Sequence, residues 1–402
     1  MPQYLGAFRD RITIKAFKKH GTGLVAGVLV PKESKATLRD GSGELELSET
    51  VTDLLPSVRT CWLALRFHEP ERAEIVYLHA IEASGEVHRF QDEFEGFQKR
   101  WSIHQAVRRF FLDRDFLEVD TPLAVPCPGM EPYLDSFSLG GGRYLRTSPE
   151  LHMKRLLAGG FDNFFQMGPC FRAGDRGKLH REEFLLLEWY RAFADLDRLV
   201  DDLRSLLAEL ARFSAHEGYF CSPFQIHDCR TLFRNYLDLD LRGQEDREPL
   251  RACLRERRIG FDEADDWDTL YFLLFLNFIE PHLGKNAPEI VTGYPASQAA
   301  LAKMAPPRPD SMPTCYRFEL YIHGVEIANA FYELTDAEEQ RLRFEADCRK
   351  RAQLGKTVYP IDEDFMAALG SGLPPCAGIA LGLDRLVLAL LDMSALDHIL
   401  PF

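Results

Sequence analysis

The chain has 402 residues, 46% of them hydrophobic and 27% charged, which is ample for a buried core and too long for one ordinary domain, so two domains are expected. A formal charge of -14 argues against a general nucleic-acid coat, whose affinity comes from surplus Lys and Arg at phosphates. The start, Met1-Pro2-Gln3-Tyr4, carries no charged segment followed by an apolar one, and the nine cysteines form no C-x-x-C pair. Secretion, a disulfide framework and a zinc site are therefore not expected, and a cytoplasmic protein is.

Residues 1 to about 95 read as five short strands: Leu24 to Val30, Ala36 to Arg39, Glu44 to Leu47, Thr60 to Phe67 and Glu74 to Ala83. The Asp40-Gly41-Ser42-Gly43 turn joins the second to the third, and a short helix near Glu49 to Leu55 precedes the fourth. That order predicts a small all-β barrel of the OB type over residues 1–95. Eight of the first 39 residues are basic against two acids, Asp10 and Glu33, so one face of this module is either a positive binding surface or a solvated edge.

A polar stretch from Gln91 to Lys99 separates it from a second domain, 96–402. There the pattern predicts a helix from about Trp101 to Arg114, a strand into Thr121-Pro122, and a helix opening at Ser148-Pro149-Glu150. Strands follow around Phe164 to Phe171 and Phe184 to Phe193, then a long helix from Leu196 to His216. The longest apolar stretch, Leu270 to Ile279, lies between Asp268 and Glu280 and is too short for a bilayer, so a core helix and no membrane contact are expected. Pro306-Pro307-Arg308-Pro309 marks a loop.

Chemistry concentrates in two arginine-bearing stretches, Phe171-Arg172 through His180 to Phe184, and Gly378 to Arg385. An arginine never loses its charge, and beside glycines or aromatics it suits a nucleotide triphosphate held without a P-loop. An ATP-using ligase is the first expectation. In the strand Phe184 to Tyr190, alternation puts Phe184, Leu186, Glu188 and Tyr190 on one face. A carboxylate and a phenol there need either a ligand or a partner within the core. Glu150, Glu188, Glu326 and Glu333 lie in separate segments rich in small and aromatic residues. Such carboxylates neutralise a cationic substrate or hold Mg2+ through oxygen, although each alone is more often a solvated acid.

In this order the segments resemble the three signature motifs of class II aminoacyl-tRNA synthetases, in the lysyl branch. Leu117 to Pro122 is similar to the first motif, Phe171 to Glu188 to the second and Gly378 to Arg385 to the third. Within the branch, Ser148 to Leu157, Leu187 to Arg191, Pro295 to Ala302 and Ala380 most resemble the elongation factor P lysine ligases, where Ala380 replaces the glycine of tRNA-charging enzymes. The resemblance implies an α+β fold with an antiparallel sheet flanked by helices, a homodimer, and ATP and Mg2+ as cofactors. It puts Arg172 on the α-phosphate and Arg385 on the outer phosphates and adenine face, with Phe184 under adenine and His180 near the β- and γ-phosphates. It assigns Glu326 to Mg2+, makes Arg172, Glu326 and Arg385 the catalytic set, and adds Asp175, Ile327 and Gly382 to the ATP site. Ser148 and Glu150 are implied at the amino end of lysine or beta-lysine, Tyr190 and Glu333 at its far ammonium, and Asn329 at its carboxylate, with Glu188 and Ala380 completing the pocket.

Two departures stand out. Gly174, followed by Asp175, replaces the glutamate that usually follows the second-motif arginine by two residues. His180-Arg181-Glu182-Glu183-Phe184 replaces His-Asn-Pro-Glu-Phe. The implied activity is adenylation of lysine or beta-lysine and its transfer to a lysine of elongation factor P. The alternatives are tRNA charging, with the N-terminal barrel on the anticodon, and a non-catalytic nucleotide- or partner-binding paralogue.

Overall fold

A computed structural model describes residues 11–32, 35–52, 61–80, 93–241, 246–307 and 312–401, in two units, Met1–Gln98 and Lys99–Leu400. The first unit opens with a helix that strand-oriented reading misses, Ile14–His20. Thr13 caps it, its hydroxyl accepting the Ala16 N–H at 3.2 Å, and Gly21 ends it at φ 73°, a left-handed conformation glycine adopts freely. Ile14 and Phe17, one turn apart, turn the apolar face inward.

Five strands follow: β1 (Gly23–Lys32), β2 (Lys35–Asp40), β3 (Gly43–Glu46), β4 (Cys61–Glu69) and β5 (Arg72–Ala80). They form an antiparallel sheet in the order β3-β2-β1-β4-β5. The strands stand near their expected positions, but the sheet does not close, so the predicted OB-type barrel is incorrect. Among the described residues, edge strands β3 and β5 do not pair with each other. The reason lies in the missed helix. Ile14 and Phe17 pack with Val25, Leu29, Leu38, Leu63, Leu65 and Phe67, so a helix covers the apolar side of the sheet that a barrel would cover by curling.

A helix spans Phe94–Leu112, beginning in the first unit and running on into the second. It begins inside the expected polar separator because Phe97 is buried (Gln91 and Asp92 lie outside the described residues). Three short strands, β7 (Ala124–Val125), β8 (Ser138–Gly140) and β9 (Arg143–Leu145), make a small sheet. The main sheet has eight: β6 (Leu117–Glu118), β10 (Asn163–Phe171), β11 (Glu183–Ala192), β12 (Gln225–Asp228), β13 (Glu289–Thr292), β14 (Arg317–Ile322), β15 (Val325–Tyr332) and β16 (Cys376–Gly382). Their order is β12-β13-β14-β15-β16-β11-β10-β6. The sheet is mixed rather than wholly antiparallel, since the two outer pairs, β12 with β13 and β6 with β10, are parallel. Both pairs are joined by long connections carrying helices, as parallel neighbours require.

Helices bury one face of the sheet. Phe111 of the first helix stacks on Phe165 with ring centroids 4.7 Å apart and meets Trp189 beside it. Leu199, Leu203, Leu206 and Leu210 of the helix Leu196–Leu210 join this core. That helix ends before the expected His216 because the Ser214 hydroxyl accepts the His216 N–H and diverts the chain into a turn. The apolar stretch near Leu270 is the helix Trp267–Phe278, with Leu270, Tyr271, Leu274 and Phe275 buried. Among the described residues, no helix is long and apolar enough to cross a membrane. The end of the Pro306–Pro309 loop falls outside the described residues.

Candidate active site

The opposite face of the main sheet carries the polar chemistry in two cross-strand rows. Directly opposed residues share a face, so one row reads Gln166, Glu188, Ala380, Asn329 and Glu319 from β10 to β14. The next reads Phe164, Tyr190, Gly378, Phe331 and Arg317. Ala380 and Gly378 are thus the low floor between taller walls. An added Cβ at Gly378 would stand 2.2 Å from a Tyr190 ring carbon and 2.6 Å from Glu333 Oε1. Gly378→Ala is accordingly expected to cost about 1–3 kcal/mol through overpacking and to weaken amino-acid binding more than ATP binding, as thermal melts and separate titrations of the two ligands would read. Equal loss of both would contradict the placement.

Glu326 and Asn329, three residues apart, would face opposite sides of a regular strand. At the irregularity between Leu320 and Tyr321, Leu320 pairs with Ala328 and Tyr321 with Glu326, which leaves Ile327 unpaired. The bulge returns Glu326 to the face of Asn329. Both line one cavity of about 330 Å3, together with every other residue singled out from the sequence: Ser148, Glu150, Arg172, Asp175, His180, Phe184, Glu188, Tyr190, Ile327, Glu333, Ala380, Gly382 and Arg385.

One end of the cavity is acidic. Glu188 is buried, its oxygens accepting from Tyr190 Oη at 2.6 Å and Ser148 Oγ at 3.1 Å. Burial, then the neighbouring Glu150, pushes its carboxyl up to about 8. Burial also raises Glu333 to about 7. Tyr190 commits its only proton to Glu188, which leaves its oxygen free to accept from an ammonium. Ser148 Oγ also accepts the Glu150 N–H at 3.1 Å, at the start of the helix Glu150–Ala158.

The other end is cationic. Arg172 stands 4.9 Å from the centre of the Phe184 ring, and its buried Nε has no hydrogen-bond partner. Arg385 donates to the Glu326 carbonyl at 3.0 Å and meets His180 Nε2 at 2.5 Å. Burial, then Arg385, lowers His180, so its neutral ring accepts from the guanidinium. Asp384 fixes the strand-helix junction by accepting from the Leu185 N–H and from Arg100, each at 2.9 Å.

Among the described residues, no group of three or more His, Cys, Asp or Glu could hold a metal unaided. Glu326 is raised by burial and then by Glu319, so a cation there would relieve two crowded acids. The set fits magnesium in the company of phosphates, because that ion keeps several waters and takes one or two carboxylates plus phosphate oxygens.

Residues 87–402 match the family described as class II tRNA synthetases (D, K and N). The chain belongs to this class II synthetase family. The elongation factor P--(R)-beta-lysine ligase of Proteus mirabilis is 41% identical over 315 residues, which cover 76% of this chain and 93% of the relative. Those of Klebsiella pneumoniae and Photorhabdus laumondii are 40% and 41% identical over the same length and shares. The unmatched quarter of this synthetase is close in size to its first unit.

Several groups at or behind the cavity escape sequence reasoning. Lys154 is buried between Glu150 and Glu333, at 2.7 and 2.5 Å. Its spacing of four from Glu150 on a helix was the available signal. Glu131 and Arg317 line the cavity too. Arg317 donates to Asn329 Oδ1 at 3.1 Å, which turns the amide's N–H groups away from that guanidinium. In the departing loop, Gly174 adopts φ 80° and donates to Glu182 Oε1 at 2.9 Å. Glu182 also binds Arg176, and Arg181 pairs with Asp397, so both unusual residues sit in a hydrogen-bonded loop.

Proposed function

We propose that the chain is an ATP-dependent ligase that activates (R)-beta-lysine or lysine as an aminoacyl-adenylate and transfers it to a lysine side chain of elongation factor P. One observation carries the reading: a single cavity runs from an acidic end, Glu150 with the buried Glu188 and Glu333, to a cationic end, Arg172 and Arg385. The first suits the amines of a diamino acid and the second a triphosphate, and the small Ala380 lies between them. The relatives' names supply the acceptor.

In the first step the amino-acid carboxylate attacks the α-phosphorus of ATP and pyrophosphate leaves. Arg172 meets the charge that grows on the α-phosphate, Arg385 and His180 hold the outer phosphates, and Phe184 supports adenine, with Asp175, Ile327 and Gly382 around the nucleotide. Ser148 and Glu150 take the nearer amine, Tyr190, Glu188 and Glu333 the far ammonium, and Asn329 the carboxylate. Magnesium, held by Glu326 with phosphate oxygens, would supply neutralising charge. In the second step the acceptor amine attacks the mixed-anhydride carbonyl, AMP leaves, and an amide remains. No side-chain nucleophile is needed.

An acceptor assay tests this: the full chain, ATP, labelled (R)-beta-lysine or lysine, and elongation factor P beside tRNA. Label on the protein lysine is expected, whereas label on tRNA alone would favour tRNA charging. That second reading draws on the first unit, which carries exposed Lys15, Lys18 and Lys19. The proposed homodimer draws on Leu112, Leu117 and Leu123, which are 51%, 51% and 41% exposed beside edge strand β6. Sedimentation should give a dimer and Leu112→Arg a monomer. A monomeric parent chain would remove the proposal.

A further inference from the structure

We infer that Lys154 is a positioning residue of the amino-acid site, a fixed internal ammonium that sets the charge of the acidic end to match a substrate carrying two ammonium groups. The inference rests on the proposed reading of Glu150, Glu188 and Glu333 as amine ligands.

Lys154 does not line the cavity. It stands behind it, 1% exposed, with Nζ 2.7 Å from Glu150 Oε1 and 2.5 Å from Glu333 Oε2. Its backbone is held because Leu151, Met153 and Leu157 of the same helix are buried, so the ammonium cannot leave without breaking that packing. Burial pulls its pKa down, but the two carboxylates push it further up, so the charge is permanent. Each carboxylate spends one oxygen on Lys154 and keeps the other for the cavity.

The charges then close. Once the substrate's ammonium groups draw Glu188 and Glu333 into their ionised forms, Glu150, Glu188 and Glu333 bring three negative charges and Lys154 one positive, which leaves two. A diamino acid fills them with two ammonium groups, while its carboxylate lies toward Arg172 and Asn329. An ordinary amino acid fills one and leaves a buried acid unpaired. Without Lys154, even a diamino acid leaves one acid unpaired, and that acid must stay protonated. The other described groups near Glu333 are Tyr190 on β11 and the Cys376 thiol on β16. Neither Tyr190 nor Cys376 can replace the lost cation, because both are neutral or anionic.

Amino-acid-dependent pyrophosphate exchange across pH tests the role, with Lys154→Met, Lys154→Arg and Glu333→Gln in the full chain. For Lys154→Met the expected results are a roughly tenfold or greater rise in KM for the amino acid, little change in KM for ATP, and an acid limb of kcat/KM displaced to higher pH. Lys154→Arg keeps the charge and should restore the acid limb. Lys154→Gln replaces the methionine variant should that one not fold. An unmoved acid limb, with Glu333→Gln still raising KM for the amino acid, would overturn the inference alone. If Glu333→Gln leaves that KM unchanged, the reading of the acidic end falls, and the inference with it.

Discussion

Arg172→Ala is expected to reduce amino-acid-dependent pyrophosphate exchange by about 10^2- to 10^3-fold while the protein still melts cooperatively. Arg172 lines the cavity with a buried, unpartnered Nε, so its fork is poised for a ligand and is not consumed by the fold. Its backbone N–H, by contrast, is tied to the Glu182 carbonyl at 2.8 Å, which fixes the side chain's origin. The loss should fall mainly on kcat, because charge on the α-phosphate grows as the anhydride forms and an interaction strengthened in the transition state acts on the rate. Arg172→Lys should recover little, since an ammonium offers a point charge in place of a planar fork. A variant that kept kcat and lost only ATP affinity would assign Arg172 to ground-state binding.

The second large effect concerns pH. In the unliganded protein Glu188 lies near 8 and Glu333 near 7, so at neutrality both are partly protonated, and a protonated acid does not attract an ammonium. Raising the pH ionises them and strengthens binding, until the substrate amines begin to deprotonate. KM for the amino acid should therefore fall as pH rises from about 6 to about 8, and amino-acid binding at pH 7 should release protons. Glu188→Gln should raise that KM roughly ten- to hundredfold, the value of about 1.5–3 kcal/mol of a hydrogen bond to a charged group, and remove the higher step of the profile. A KM that rises with pH over this interval would refute the assignment of these acids to the amines.

Much of the site is readable from the chain because it lies on strands, where alternation alone places Phe184, Leu186, Glu188 and Tyr190 together. Two kinds of feature resist that reading. Lys154 sits on a helix whose apolar neighbours make it look like a core position with a surface residue, and only the third dimension brings Glu333 to it. Glu326 breaks the strand's parity, and the unpaired Ile327 that repairs it leaves no mark in composition. The first unit shows the same limit. Its strands are legible from β-branched and apolar runs, but closure depends on whether the edges meet, and the short helix with Ile14 and Phe17 takes the apolar face instead.

The bulge in β15 separates two jobs that share one strand. On the proposed reading, the side-chain phase upstream of Ile327 serves the triphosphate end through Glu326, and downstream it serves the amino-acid end through Asn329. Deleting Ile327 would leave Glu326 and Asn329 two positions apart and still on one face, so what the extra residue adds between the two ends is backbone length and twist, not their facing.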